Sequence, residues 1–322
     1  MNISPSVYEH AAQLIGVTPW EASRDAELMF RAHAEAYRRY RHTPIMPGID
    51  IYNLEAEAYG GRIDKPHDIN IPAIAEPIFE STAQLQDLPP LDPKRDGRIP
   101  MQIDVARRLR DTFPEADIRV PVAGPFSIAS NLVGFETLII DSATHGETAA
   151  ESLMHLVEGQ VAFARGIKEA GVDVAFFESA ACPPMLSPAQ FREVELPALK
   201  SIMSRIGEVV GHPIPCIIGG DTTPIVEAML ETGTGYLVCP FETDQTAFME
   251  KVAERTDVMI RVNCDLRIIS SGTREQIREE ADRVIRLIGN RPNTTLGTGA
   301  LPFEADPENV LYIMDYIGRI KS

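Results

Sequence analysis

The chain has 322 residues, 44% of them hydrophobic and 24% charged, enough for one large α/β barrel or two ordinary domains and too apolar for a disordered chain. Its 47 Asp and Glu against 30 Lys and Arg give a net charge of -17, which repels phosphate backbones and anionic bilayers, so nucleic acid and membranes are not expected partners. No apolar run approaches the roughly 20 residues that span a bilayer, and MNISPSVYEH lacks the basic and apolar parts of a signal peptide, so the expected location is cytoplasmic. The cysteines Cys182, Cys216, Cys239 and Cys264 lie far apart, without the short spacings of a zinc knuckle or disulfide framework, and read as buried thiols.

In chain order, the first forty residues read as helix: Thr18 can cap, Pro19 sits in the first turn, and EASRDAELMFRAHAEAYRRYR continues without a breaker. From Thr43 onward, short apolar runs alternate with amphipathic segments, the pattern of repeated βα units. The expected strands are TPIMPGI (43–49), a weak DINIPAI (68–74), IRVPVAG (118–124), VDVAFFE (172–178), IPCIIGG (214–220), GYLVCP (235–240), DVMIRVN (257–263) and NTTLGTG (293–299). GETAAESLMHLVEGQVAFARGIKEAG, SPAQFREVELPALKSIMSRIG, TPIVEAMLETG, REQIREEADRVIRLIG and DPENVLYIMDYIG carry apolar stripes and read as helices. DLPPLDPKRDGRIP reads as an exposed connection. The fold class is therefore α/β, a single (β/α)8 TIM barrel over 43–322 with a helical extension over 1–42. A doubly wound nucleotide fold loses support because no GxGxxG follows an early strand.

In such a barrel the reacting groups stand at the carboxyl ends of the strands. That rule selects Asp50, Asn53, Ser127, Glu178, Ser179, Asp221, Thr222, Thr223, Glu242, Asn263, Asp265 and Thr298. Each has a plainer reading: one of Asp221, Thr222 and Thr223, which precede Pro224, is expected to cap a helix, one of Glu55 and Glu57 to be solvated, and Cys239 and Cys264 to be packing residues. Glu178 is different, because an acid ending so apolar a run needs a partner or a function.

Five blocks resemble the uroporphyrinogen decarboxylase superfamily in order: GPFSIASNL, FFESAACPPMLSPAQFREVELPALKSI, GGDTTPIVEAMLETGTGYLVCPFETD, NCDLRIISSGTREQI and LGTGALPFEADPENV. The third is similar to the HxCGNTTPI segment of the corrinoid-dependent methyltransferase branch. The arginine-rich MRQAGRY segment with which the decarboxylases grip their substrate has no counterpart; FRAHAEAYRRYR arranges its arginines otherwise. Thiol-specific members of the methyltransferase branch bind zinc at three positions that here are Ile217, Gly219 and Thr298, so no zinc is expected, with Cys216 as the alternative for a shifted metal site.

The resemblance thus implies a zinc-free methyltransferase that moves a methyl group from methylcobamide, carried on a small corrinoid-binding protein, to tetrahydrofolate. An amine acceptor is nucleophilic as the neutral base and needs no metal. In this reading Glu178, Asp221 and Asn263 are catalytic and the remaining nine candidates bind substrate, with carboxylates and amides matching the pterin edge. A homodimer is compatible with the sequence. The alternatives are a zinc-dependent transfer to a thiol such as coenzyme M, a lyase of the decarboxylase type, and a barrel that only binds.

Overall fold

The structure is a computed structural model that describes residues 2–178 and 181–320. Among these residues the chain forms nine strands: β1 (Ile3–Ser6), β2 (Ile63–Asp64), β3 (Ala73–Ile74), β4 (Arg119–Ala123), β5 (Asp173–Phe177), β6 (Pro215–Ile217), β7 (Tyr236–Cys239), β8 (Met259–Asn263) and β9 (Thr294–Ala300). Seven lie side by side, all parallel, in the order β1-β9-β8-β7-β6-β5-β4. The expected helices cover this sheet, among them Gly146–Glu169, Leu196–Val210, Arg274–Ile288 and Pro307–Ile320. The curled sheet and its helical jacket are those of a TIM barrel.

Two staves differ from the sequence-based expectation. Residues 3–6 are not helix but strand β1, which pairs with β9 through Ile3 opposite Leu296 and Ser4 opposite Gly297. ISPS has no strand signature, and it is extended because β9 offers an otherwise open edge. DINIPAI is no barrel strand: its Ala73–Ile74 pairs antiparallel with Ile63–Asp64 in a ribbon outside the sheet.

TPIMPGI remains the stave beside β4, reduced to one bridge in which Ile45 N donates to Asp117 O (2.8 Å) and Arg119 N donates to Ile45 O (3.0 Å). Pro44 and Pro47 have no N–H to extend that ladder. On its other side Ser4 Oγ donates to Thr43 O (2.9 Å), so the ring closes from β1 through residues 43–45 to β4.

After a short helix Glu9–Gln13, the helical run that starts at Pro19 is broken once, into Pro19–Arg24 and Ala26–Tyr40. Thr18 and Glu21 form the capping box of the first. Asp25 is extended and its carboxylate accepts from Glu27 N (2.8 Å) and Leu28 N (2.9 Å), so a residue read as helix interior starts a new helix instead. Asp25→Ala should lower unfolding free energy by about 1 kcal/mol with the fold retained, read as a shift in the urea midpoint without change of slope.

Candidate active site

The carboxyl ends of the strands open into a cavity of about 450 Å³. Its walls are largely apolar and aromatic, including Tyr8, Tyr52, Phe177, Val238 and Phe241, with Ile71 and Pro72 of the β2–β3 ribbon at one side. Its polar groups are Ser6, Glu9, Asp50, Asn53, Glu242, Arg261, Asn263 and Thr298. Alternation along β8 sets two of these: Ile260 and Val262 turn outward to the helices, Arg261 and Asn263 turn into the barrel. Gly297 on the neighbouring strand makes room for both, since a Cβ there would fall on Asn263 Oδ1 and within 2.7 Å of Arg261 Cδ.

Five of the sequence candidates therefore meet at the cavity: Asp50, Asn53, Glu242, Asn263 and Thr298. Three of the five are already engaged. Asp50 takes both Arg98 guanidinium nitrogens (2.8 and 2.7 Å), and Arg98 also holds Glu57, which pairs in turn with Arg24. Asn53 Nδ2 donates to Pro72 O (2.6 Å) and fastens the ribbon. Thr298 Oγ1 donates to Gly299 O (2.7 Å) and accepts from Ser6 N (3.3 Å), stitching β9 to β1. Glu242 is exposed at the rim, and Asn263 Oδ1 is buried without a partner among the described residues.

The other candidates stand elsewhere. Glu178 is fully buried and accepts from Phe126 N (3.1 Å), Ser127 N (3.0 Å) and Ser127 Oγ, so it and Ser127 anchor the start of helix Pro125–Val133 instead of lining the cavity. Gly124 is what lets them meet, because a Cβ there would overlap the Glu178 carboxylate. Asp221 is exposed and accepts from Thr243 Oγ1 (2.9 Å), which also receives Thr223 N (2.8 Å), so this side-chain set ties two loops together and caps no helix. The Thr222 hydroxyl is buried without a partner among the described residues. Asp265 caps helix Leu266–Ser271 and pairs with Arg267 (2.9 Å). Ser179 lies outside the described residues.

Other acids are buried too, among them Glu195, Glu55 and Glu9. Glu195, at the end of the π-helical turn Phe191–Glu195, lies against Glu178, and apart from that neighbour nothing among the described residues partners its oxygens. Burial pushes both carboxyls up, and Glu195 is pushed further by the Glu178 charge; Glu178, held by three donors, is the ionised member and Glu195 the protonated one. Glu55, one of the two acids of which one is expected to be solvated, is fully buried with Oε1 accepting from Ala123 N (2.8 Å), and burial raises its carboxyl to about 7. Glu57 is only 20% exposed in its ion pairs. Glu9, inside the segment read as helix, is in the cavity wall with its carboxyl raised by burial to about 7.

A zinc ion held at Ile217, Gly219 and Thr298, the three positions that the resemblance implies for thiol-specific members, does not fit the residues present. Ile217 and Gly219 offer no ligand atom, and the Thr298 hydroxyl is spent on backbone. Cys216 is fully buried in the core, with its thiol pushed well up by burial, and does not line the cavity. Among the described residues no three His, Cys, Asp or Glu converge on a metal position. All four cysteines are free and buried, as the packing reading expects.

Residues 4–320 match the uroporphyrinogen decarboxylase (URO-D) family. The chain belongs to that family. Among curated proteins it is similar to a methylcobamide:CoM methyltransferase, MtaA, of Methanosarcina barkeri, 26% identical over 146 residues, and to the same enzyme of the Fusaro strain at 25%. The matched segment is 45% of this chain and 42% of the relative, so the chain aligns with less than half of those proteins. A solved methyltransferase from Methanosarcina mazei shares the fold over 100% of this chain and 93% of its own, with a TM-score of 0.82 at 18% identity. A B12-independent methionine synthase from a Shewanella species follows at a TM-score of 0.58 and 10% identity, over 92% of this chain and 88% of its own.

What sequence reasoning missed in this URO-D family member is Glu9, Arg98 and Arg261. Arg261 carries the signal that singled out Glu178, a charge within an apolar strand; Glu9 and Arg98 carry none.

Glu178→Ala should behave as a structural lesion, losing on the order of 3 kcal/mol or more because two helix N–H groups and Glu195 are left unpartnered. A protein as stable as the parent in urea would refute that role. Glu55 has a pH signature. Raised from an ordinary 4.5 to about 7, it binds its proton more tightly in the folded state, so its contribution is complete below about 4.5 and is lost as pH rises through about 7. The buried His10 and His33, lowered to about 4, act in the opposite sense and lose their contribution as pH falls through about 4. The Glu55→Gln variant should therefore gain on the parent by on the order of 2–3 kcal/mol between about pH 5 and about pH 8, in paired denaturant titrations.

Proposed function

We propose that this chain is a corrinoid-dependent methyltransferase, moving a methyl group between methylcobamide on a small partner protein and a small molecule held in the mouth of the barrel. The support is family membership, similarity over 146 residues to a protein named a methylcobamide:CoM methyltransferase, and a cavity at the strand ends large enough for such a molecule. The small molecule in this reading is tetrahydrofolate. What carries it is the polar set of the mouth: the carboxylates of Glu9 and Glu242, the amide of Asn263, whose Oδ1 has no partner among the described residues, and, among those residues, no three His, Cys, Asp or Glu placed to hold a metal that would activate a thiol. A carboxylate accepts from the guanidine-like edge of a pterin, and an amide side chain completes the pattern. Among the described residues one arginine, Arg261, lines the mouth, which disfavours a lyase acting on a many-carboxylate porphyrinogen.

The transfer is an in-line displacement: the folate N5 forms its bond to the methyl carbon as the carbon–cobalt bond breaks and the electron pair stays on cobalt. The N5 proton needs a base. Glu178, expected from the sequence to be catalytic, is sealed in the wall; Glu9 lines the cavity with a carboxyl raised by burial to about 7, suited to exchange a proton at neutral pH. The apolar walls exclude water and hold the reactants in line.

Methylcobalamin and tetrahydrofolate incubated with the purified chain should yield methyltetrahydrofolate and cob(I)alamin in equal amounts. Turnover with coenzyme M and none with folate would replace the acceptor; turnover with neither would sink the reading. Glu9→Gln should lower kcat by about a hundredfold while leaving the folate KM within a few-fold. Because the base must be ionised, the parent's rate should rise with pH through about 7, and this limb should vanish in the variant.

A further inference from the structure

Arg261 is a buried cation without a counterion. It is 4% exposed, Nη1 donates to Ser6 Oγ (3.1 Å), and among the described residues Nε is buried with no partner and no carboxylate comes within 4 Å. Other inner arginines are matched: Arg98 by Asp50 and Glu57, Arg119 by Asp117. A chain with 47 acids does not lack the means to pair one more guanidinium. Burying a charge without a partner is costly, and it persists where a ligand supplies the opposite charge.

Its position says which ligand. Arg261 stands at the floor of the mouth, two residues below Asn263 on the same face of β8 and so about 6.6 Å deeper. Between floor and rim the walls include Tyr8, Tyr52, Phe177 and Phe241, with Phe177 edge-on to both Tyr8 (6.1 Å between ring centres) and Tyr52 (6.4 Å). An aromatic slot with one cation at its deep end and polar groups at its rim fits a ring that bears a carboxylate.

We propose that Arg261 anchors the carboxylate of an aromatic acid, borne on the ring or on a short arm attached to it, which enters the mouth charged end first and leaves the end that carries or accepts the methyl group at the rim. This rests on the reading of the mouth as a methyl-transfer site and names the class of its small molecule. The carboxylate can belong to the aminobenzoylglutamate part of a folate or to a free benzoate.

Calorimetric titration without any corrinoid separates these sources. The probes are 4-methoxybenzoate, p-aminobenzoylglutamate and the neutral ester methyl 4-methoxybenzoate, against the parent, Arg261→Met, Arg261→Lys and Gly219→Phe. At least one acid should bind, tenfold or more tighter than the ester; which acid does so identifies the source. Arg261→Met should lose that preference and Arg261→Lys keep part of it. Gly219 has open space where its Cβ would stand, so Gly219→Phe fills the mouth and should block binding. The proposal is overturned if neither acid outbinds the ester on the parent, a comparison that needs no variant to fold. It is also overturned if folded Arg261→Met binds the acid unchanged, or if Gly219→Phe does so, since the anion would then reach Arg261 from the larger cavity at the opposite end of the barrel, which Arg261 also lines. Retained acid binding in a chain that transfers no methyl group would sink the methyltransferase reading alone.

Discussion

The parallel pairing of β1 with β9 is the contact on which the site depends. Without it β9 is an open edge, and the ring from β4 through residues 43–45 has nothing to meet. The pairing also delivers the mouth's first wall: Ser6 at the end of β1 and Tyr8 and Glu9 just past it line the mouth because residues 3–6 are held in the sheet. Ser6 is bonded from two sides, through its N–H to Thr298 and its hydroxyl to Arg261, so strand closure and the floor of the cavity are one structure.

Charges in the barrel are arranged in two ways that follow from the same electrostatics. In the wall, Glu178 is paid in donors, two N–H groups and a hydroxyl, and its neighbour Glu195 is kept protonated by that charge and by burial. This is a structural solution that fixes helix Pro125–Val133 to β5. In the mouth, Glu9, Asn263 and Arg261 keep unmet capacity, one for a proton, one for a hydrogen bond, one for an anion. Polar groups satisfied by the protein build the barrel; those left unsatisfied define what it can receive.

The particular residues show how far sequence reasoning reached. The rule that reacting groups stand at strand ends brought Asp50, Asn53, Glu242, Asn263 and Thr298 to one cavity, because position along a parallel strand decides which end a residue occupies. It misplaced Glu178, Ser127, Asp221 and Asp265 relative to the cavity, because a residue just past a strand can turn toward the axis, into the wall or onto the next helix, and that turn is chosen by partners distant in sequence. Ser127 is 51 residues from Glu178, and Thr243 is 22 from Asp221.

By itself the sequence determined the α/β class, the βα alternation after Thr43, the main helices, the family and the absence of nitrogen or sulfur ligands at Ile217, Gly219 and Thr298, since all of these are carried by local periodicity or by the identity of single residues. Only the tertiary structure decided that residues 3–6 replace 68–74 as a stave, that Asp50 belongs to Arg98, that Glu9 enters the mouth and that Arg261 has no counterion among the described residues. Edge pairing and charge pairing join residues tens to hundreds of positions apart, and no window along the chain contains both members of such a pair.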